Sequence, residues 1–489
     1  MKIYKFPKEY EKKSSEYRVS CCGKEVEVYS CDVSAVPFNQ VWPGYQRPEN
    51  QTEKSEYVLF SSDEAVELEI VSKHSFETVT VRPLSKGIKS TVDNGKVKVL
   101  FPKAGQYTIE FDDSHHVLNV FINPEKEFEV DKDSEDVIYF GVGVHYVDKR
   151  IILKDGQTVF IDEGAVVYGA IEAVDKNDVK IIGYGILDNS RMNRANEMNG
   201  CAVLDPEALE MTGNPIFLNC CHNVRIEGVT FVNSSGWNVH LDGCTDVKVD
   251  NIKIIGQWRY NADGCDFCNC KNSVIKNSFL RTFDDCIVMK GFRLNNSLPL
   301  ENIIAENCVL WCDWGRALEV GAETSAPYMK NIVFKNCDII YGCHVMLDIQ
   351  HGDKAKISDV HFEDIRIEYR KKGEYPIIQE KKDAIYENKD EGYMPVLFEL
   401  IAGTTMWSID EASGILQDVY FKNIEITTED GRIPQGSKIL VRDGEKKIKG
   451  VYFENITVNG AVCDADTLKV SVSSGAYDIF WKNKKSILK

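Results

Sequence analysis

Residues 258–291 read WRYNADGCDFCNCKNSVIKNSFLRTFDDCIVMKG and contain two similar phrases, Asn261-Ala262-Asp263-Gly264-Cys265 and Thr282-Phe283-Asp284-Asp285-Cys286. Each sets carboxylates just ahead of a short apolar run. Alignment on Cys265 and Cys286, 21 residues apart, puts Asp263 level with Asp284 and Gly264 level with Asp285. If the phrases are parallel strands in successive turns of one coil, they lie about 4.8 Å apart and the three aspartates collect in one place.

Outward from that stretch an apolar-polar phrase recurs, beginning at Val179, Val224, Val247, Val274, Ile303, Ile332, Val360, Val419 and Val451. Steps of 23 to 32 residues are one coil each, and the steps of 45 and 59 read as two coils, the longer carrying an insertion at Arg370–Met394. A unit of that size cannot bury its own apolar face, so it stacks on its neighbours. The spacing predicts an all-β chain whose main body is a right-handed parallel β-helix. Glycine-punctuated strands such as Tyr139–His145 and Val159–Gly169 extend the coil toward the N-terminus. Before them, residues 1–128 alternate polar and apolar in short runs between Gly, Asp and Asn turns, the pattern of a β-sandwich. The charged stretch 128–136 reads as a linker, which gives domains at 1–128 and 137–489.

A net charge of −18 disfavours a nucleic-acid partner and a strongly anionic polymer, and favours a neutral or weakly charged oligosaccharide. The first 17 residues lack the apolar run of a signal peptide, and no stretch offers the roughly 18 continuous apolar residues of a membrane span, so the expectation is a cytoplasmic protein without a membrane partner. The sixteen cysteines are then reduced, and matched pairs such as Cys308 and Cys337 look like small side chains stacked inside a coil. Cys265-x-x-Cys268-x-Cys270 has no second cluster of zinc-like spacing, so no metal and no cofactor are expected. Oligomeric state is not legible.

Three crowded carboxylates suit hydrolysis of a glycosidic bond, which needs one protonated carboxyl for the leaving oxygen and one carboxylate to activate water. Crowding raises one of their pKa values, so acid and base coexist near neutral pH. Around them Arg316, Glu319, Asp348, His240, Trp258, Trp314 and Lys290 are candidate sugar contacts. Glu319 aligns with Asp348, Arg316 stands one coil beyond Asp285, and His240 stands one coil before Phe267, while His344 and His351 fall on the far side. Trp311 is a further candidate platform. A β-helical lyase would want a basic cluster beside the acids, and a silent sugar-binding helix would not need the acids at all.

At these residues the chain resembles glycoside hydrolase family 28, the polygalacturonases: Asn261-Ala262-Asp263-Gly264 is similar to its Asn-Thr-Asp motif and Asp284-Asp285-Cys286 to its Asp-Asp motif. The resemblance implies Asp284 as general acid, Asp263 and Asp285 as holders of the water, and inversion at the anomeric carbon. Two motifs depart. Arg316 stands near the family's Gly-His-Gly histidine, and Leu347-Asp348-Ile349 replaces its carboxylate-binding Arg-Ile-Lys. A pectic substrate is therefore the alternative to a neutral one, and end-on attack on short chains is the expected mode. The N-terminal layout resembles family 49, the dextranases and isopullulanases, which place a β-sandwich before a right-handed β-helix.

Overall fold

The computed structural model describes residues 1–35, 52–193, 212–370 and 394–482. Toward the N-terminus a pair of sheets shares one apolar core. A six-stranded sheet centres on Thr52–Ser61, Asp113–Asn123 and Gly105–Phe111, and a five-stranded antiparallel sheet centres on Tyr17–Cys21, Val66–Ser72 and Lys96–Phe101. Alternation explains the arrangement: Val19, Leu68, Ile70, Val97 and Val99 from one sheet meet Val58, Phe60, Ile109, Leu118 and Val120 from the other.

From Val137 onward the chain coils as a right-handed parallel β-helix. Eleven short parallel strands, from Ile151–Ile152 to Ser471–Val472, form one face, and a 21-stranded sheet forms the rest of the wall. Inward positions stack like on like. Phe334, Phe362, Phe421, Phe453 and Trp481 lie ring over ring at 5.0, 5.0, 4.8 and 4.1 Å. At the bends Asn272, Asn302 and Asn331 take left-handed backbone angles and pass an amide hydrogen bond from coil to coil at 2.8 and 2.7 Å. Asparagine tolerates that conformation and leaves an amide to join the ladder, which is why it recurs at the bends.

The ladder corrects two readings of the repeat. Lys180 pairs with Arg225, and Val360 pairs directly with Val419, so the steps of 45 and 59 residues are single coils and not two each. Residues 194–211 and 371–393 fall in those steps, and most of the Arg370–Met394 insertion thus lies outside the described residues. Val274 pairs with Lys248, which leaves Ser273 level with Val247; the Ser273 hydroxyl accepts from the Val247 N–H at 3.2 Å.

The sandwich rests on the helix where its Tyr29, Tyr57 and Phe121 share one apolar cluster with Trp311 and Tyr341, and where Arg82, held at 2.6 Å by Glu110 of its own sheet, pairs with Glu368 of the helix. Trp311 is therefore interface core and no sugar platform.

Candidate active site

The 11-stranded face supplies the floor of a cavity of about 640 Å³. Its strands Cys265–Cys268 and Ile287–Gly291 pair Cys265 with Ile287 and Asp266 with Val288. One step back, that register sets Asp263 level with Asp285 and Gly264 level with Cys286, one residue off the cysteine alignment. The backbone bonds agree: Gly264 N–H donates to the Asp285 carbonyl at 2.8 Å and Cys265 N–H to that of Cys286 at 2.9 Å. The three aspartates sit in the bends that lead into these strands, so they project at the rim of the face rather than from its middle. Thr282 Oγ1 and Cys312 Sγ both donate to the Asp284 carbonyl and fix the second bend.

Asp263, Asp284 and Asp285 all line the cavity. Asp284 and Asp285 meet at Gly315, where a Cβ would lie 2.6 Å from Asp284 Oδ1 and 2.5 Å from Asp285 Oδ1. Asp285 accepts the Arg316 backbone N–H at 2.8 Å, with the guanidinium Nη1 at 3.8 Å. Asp263 faces Lys290 Nζ at 3.4 Å. No cation stands within ion-pair distance of Asp284 among the described residues. Burial, then the charges of Asp263 and Asp285, push the Asp284 carboxyl well above the usual range. Burial also pushes Asp263 up to about 7 against the pull of Lys290. The lysine cannot hold Asp263 fully ionised because it is shared with Asp266 at 3.2 Å and Glu323 at 3.7 Å. Burial raises Asp266 well above its ordinary value too, whereas these carboxylates together outweigh burial for Lys290 and raise it.

Among the other sequence candidates, Arg316, Glu319, His240, Trp314 and Lys290 line the cavity. Glu319 pairs with Asp348 as expected and Arg316 stands level with Val345. Asp348 is fully buried and forms no part of the cavity wall; it holds Arg316 Nε at 3.3 Å and so orients the arginine. Glu319 is 1% exposed with both oxygens unpaired, and burial followed by the charge of Asp285 raises its carboxyl well above the usual range. Trp258 is buried beside Arg259 and is not part of the cavity wall. Trp314 stacks on Phe283 at 5.5 Å and does face the cavity. His240 pairs with Asp266, one step off its expected partner Phe267, and this is what places it on the outward face. His344 lines the cavity and is not on the far side, while His351 is buried at Thr324 Oγ1, 3.0 Å away.

Sequence reasoning missed Trp237, Asp266, Glu323, Arg150 and Arg293. Asp266 alone was legible, as the outward residue between inward Cys265 and Phe267. Trp237 carries the Lys290 ammonium 3.9 Å over its ring and lies in no motif. The described cysteines are free thiols, and Cys265, Cys270, Cys286, Cys308 and Cys337 pack in the helix core.

The sequence model described as "Glycosyl hydrolases family 28" matches residues 170–476. "Probable exopolygalacturonase B" of Aspergillus terreus (strain NIH 2624 / FGSC A1156) is 24% identical over 312 residues, which span 57% of this chain and 67% of that protein. Among solved structures, Dex49A from Penicillium minioluteum superposes with a TM-score of 0.61 at 14% identity over 96% of this chain and 94% of that one. The Yersinia enterocolitica family 28 exopolygalacturonase gives a TM-score of 0.50 at 12% identity, over 98% of this chain and 92% of its own. At these identities the two structures speak for the fold.

Proposed function

Because the chain belongs to glycosyl hydrolases family 28 and is a glycoside hydrolase, we propose that it removes single sugars from the end of a galacturonide oligosaccharide by one inverting displacement. The observation that carries the reaction is the division of labour among the three aspartates that line the cavity. Asp284, buried and apart from any cation, keeps its proton and delivers it to the leaving oxygen. Asp285, supplied with the Arg316 N–H, and Asp263 beside Lys290 hold the water, and Asp285 takes its proton as it attacks from the opposite face. A water held between two carboxylates, rather than one carboxylate on carbon, is what supports inversion.

For the substrate, two observations weigh against the neutral sugar expected from the chain's charge. The curated relatives are named exopolygalacturonases. The cavity also brings Arg150, Lys290, Arg293 and Arg316 together, so overall charge does not describe it. Arg150 is paired with Glu172 at 2.7 Å, and Lys290 and Arg316 with the site's own acids. Arg293 lies at the exposed rim with no carboxylate in ion-pair contact among the described residues, and suits a uronate carboxylate. Trp237, Trp314 and Phe292 offer apolar surface to sugar faces.

The test is a panel of short galacturonides and neutral oligosaccharides, with products followed by chromatography and proton NMR. Monomeric galacturonate as the first product, released with inverted anomeric configuration, is expected. Cleavage of neutral oligosaccharides with galacturonides untouched would sink the substrate assignment, and release of the substrate's own anomer would sink the mechanism.

A further inference from the structure

Beside the aspartates, on the outward side of the same 11-stranded face, three donor atoms of different chemistry converge. His240 and Asp242 are two apart on the strand Val239–Asp242, so their side chains leave one face, and Asp242 stands level with Cys268 on the next strand. One nitrogen, one oxygen and one sulfur lie within 4.8 Å of one another. His240 is 8% exposed, and Asp242 and Cys268 are 0% exposed. His240 Nε2 and Asp242 Oδ2 nevertheless have no hydrogen-bond partner among the described residues. Buried polar atoms left in that state are costly unless something else satisfies them.

We propose that His240, Asp242 and Cys268 bind one zinc-like transition-metal ion. Imidazole, carboxylate and thiolate form a ligand set that zinc accepts, and the sulfur argues against calcium and magnesium, which take oxygen. Nε2 and Oδ2 are 3.6 Å apart. Nitrogen and oxygen ligands on a tetrahedral zinc lie about 3.3–3.4 Å from each other, so the pair needs to close by only a few tenths of an ångström. The aspartate and a thiolate offset the two positive charges, as a buried ion requires. Supporting contacts are in place. Asn295 Nδ2 donates to Asp242 Oδ1 at 2.8 Å and leaves Oδ2 for the ion. The Asn214 amide is 3.4 Å from His240 Nδ1, and with its oxygen turned to that nitrogen it accepts from Nδ1–H and frees Nε2 for the ion.

Of the three ligands only His240 reaches the cavity wall. The ion therefore sits behind the wall and holds the imidazole against which Trp237 and Phe292 pack, at 4.6 and 5.8 Å between ring centres. Its role is to pin this wall of the cavity and the turn Arg293–Asn295, and bond cleavage stays with the aspartates. Alternation along the strand selects Cys268 from the Cys265-x-x-Cys268-x-Cys270 run, since Cys265 and Cys270 face the core.

To test this, the protein is stripped with a chelator, desalted, and titrated separately with Zn²⁺ and Co²⁺. One ion per chain by elemental analysis, a thiolate-to-cobalt charge-transfer band, and a melting temperature that rises with Zn²⁺ and saturates are expected. Cys268→Ser should abolish the band, and Asp242→Asn should weaken binding at least about tenfold. Cys220→Ser, which removes the partly exposed thiol 3.7 Å from Asn295 Oδ1, should change neither. Absence of stoichiometric binding to the wild type overturns the site, as does a band that survives Cys268→Ser or vanishes in Cys220→Ser. Circular dichroism checks that each variant is folded, and if Cys268→Ser is not, the wild-type titration and Asp242→Asn decide.

Discussion

Substitution of Gly315 by alanine tests the geometry of the catalytic centre with a single methyl group. That carbon would stand 2.5 Å from Asp285 Oδ1, 2.6 Å from Asp284 Oδ1 and 2.6 Å from the Asp285 backbone nitrogen, where ordinary contact begins at 3.4 Å. Side chains alone cannot clear it, because one of the three atoms is backbone. The bend at Asp284–Asp285 must therefore move by close to an ångström relative to Gly315. A displacement of about 1 Å of a catalytic group costs roughly 10²-fold in rate, equivalent to about 2.7 kcal/mol of barrier. Overpacking of this kind costs about 1–3 kcal/mol of stability, which a long stacked helix survives. The variant should thus fold, bind an oligosaccharide with KM changed little, and lose about a hundredfold in kcat by initial-rate measurement of released reducing sugar. Wild-type kcat in folded Gly315→Ala protein would refute the placement of the two carboxylates around this residue.

Four further outcomes are expected. Asp284→Asn removes the proton donor and should lower kcat by about 10²–10⁴-fold at unchanged fold, read by the same assay; full activity would end its assignment as the acid. Lys290→Met leaves Asp263, Asp266 and Glu323 around a missing ammonium and should destabilise by about 3–5 kcal/mol in denaturant titration; an unchanged midpoint would show that the lysine is not their counter-ion. Asp263 titrates at about 7 in the folded chain against an ordinary 3.8, so the native form keeps a proton that the unfolded chain has lost, and stability falls as pH rises between those values. Asp263→Asn should therefore melt above wild type at pH 8 and lose that advantage near pH 4, and the opposite order would reverse the reasoning. Arg293→Ala should raise KM for galacturonides without lowering kcat for a neutral aryl glycoside; equal KM values would remove the arginine from substrate binding.

The coil was legible in the sequence because its inward residues repeat with a period set by the stack, and eight of the nine phrase positions fall on one ladder. The ninth, Val274, slipped because Ser273 occupies the ladder position and an apolar residue beside it imitated the repeat. The same kind of slip set Asp263 level with Asp284: two cysteines look alike in sequence, but Cys265 aligns with Ile287. The two long steps were harder still, since in sequence a single coil of 45 or 59 residues resembles two coils of ordinary length. The aspartates were found because they sit in the repeat. Trp237, Glu323, Arg150 and Arg293 come from bends and rims, where side chains converge through the stacking of distant coils and neighbouring residues carry no signal of it.

The register also explains why one of three similar aspartates becomes the acid. Outward positions of the 11-stranded face run His240, Asp266, Val288, Glu319, Asp348 and Glu399 on successive coils, a column that is mostly acidic. Neighbours in such a column lie about 4.8 Å apart, too close for all of them to ionise in a buried wall. Two cations divide the load: Lys290 serves Asp263, Asp266 and Glu323, and Arg316 serves Asp285 and Asp348. Valine at 288, in the middle of the column, separates the two groups. Asp284 belongs to neither, so it meets the negative charge of both without a cation in contact, and burial adds to the same effect. The proton therefore settles on the carboxyl that faces the cavity with no counter-ion, and the water is left to the two that have one.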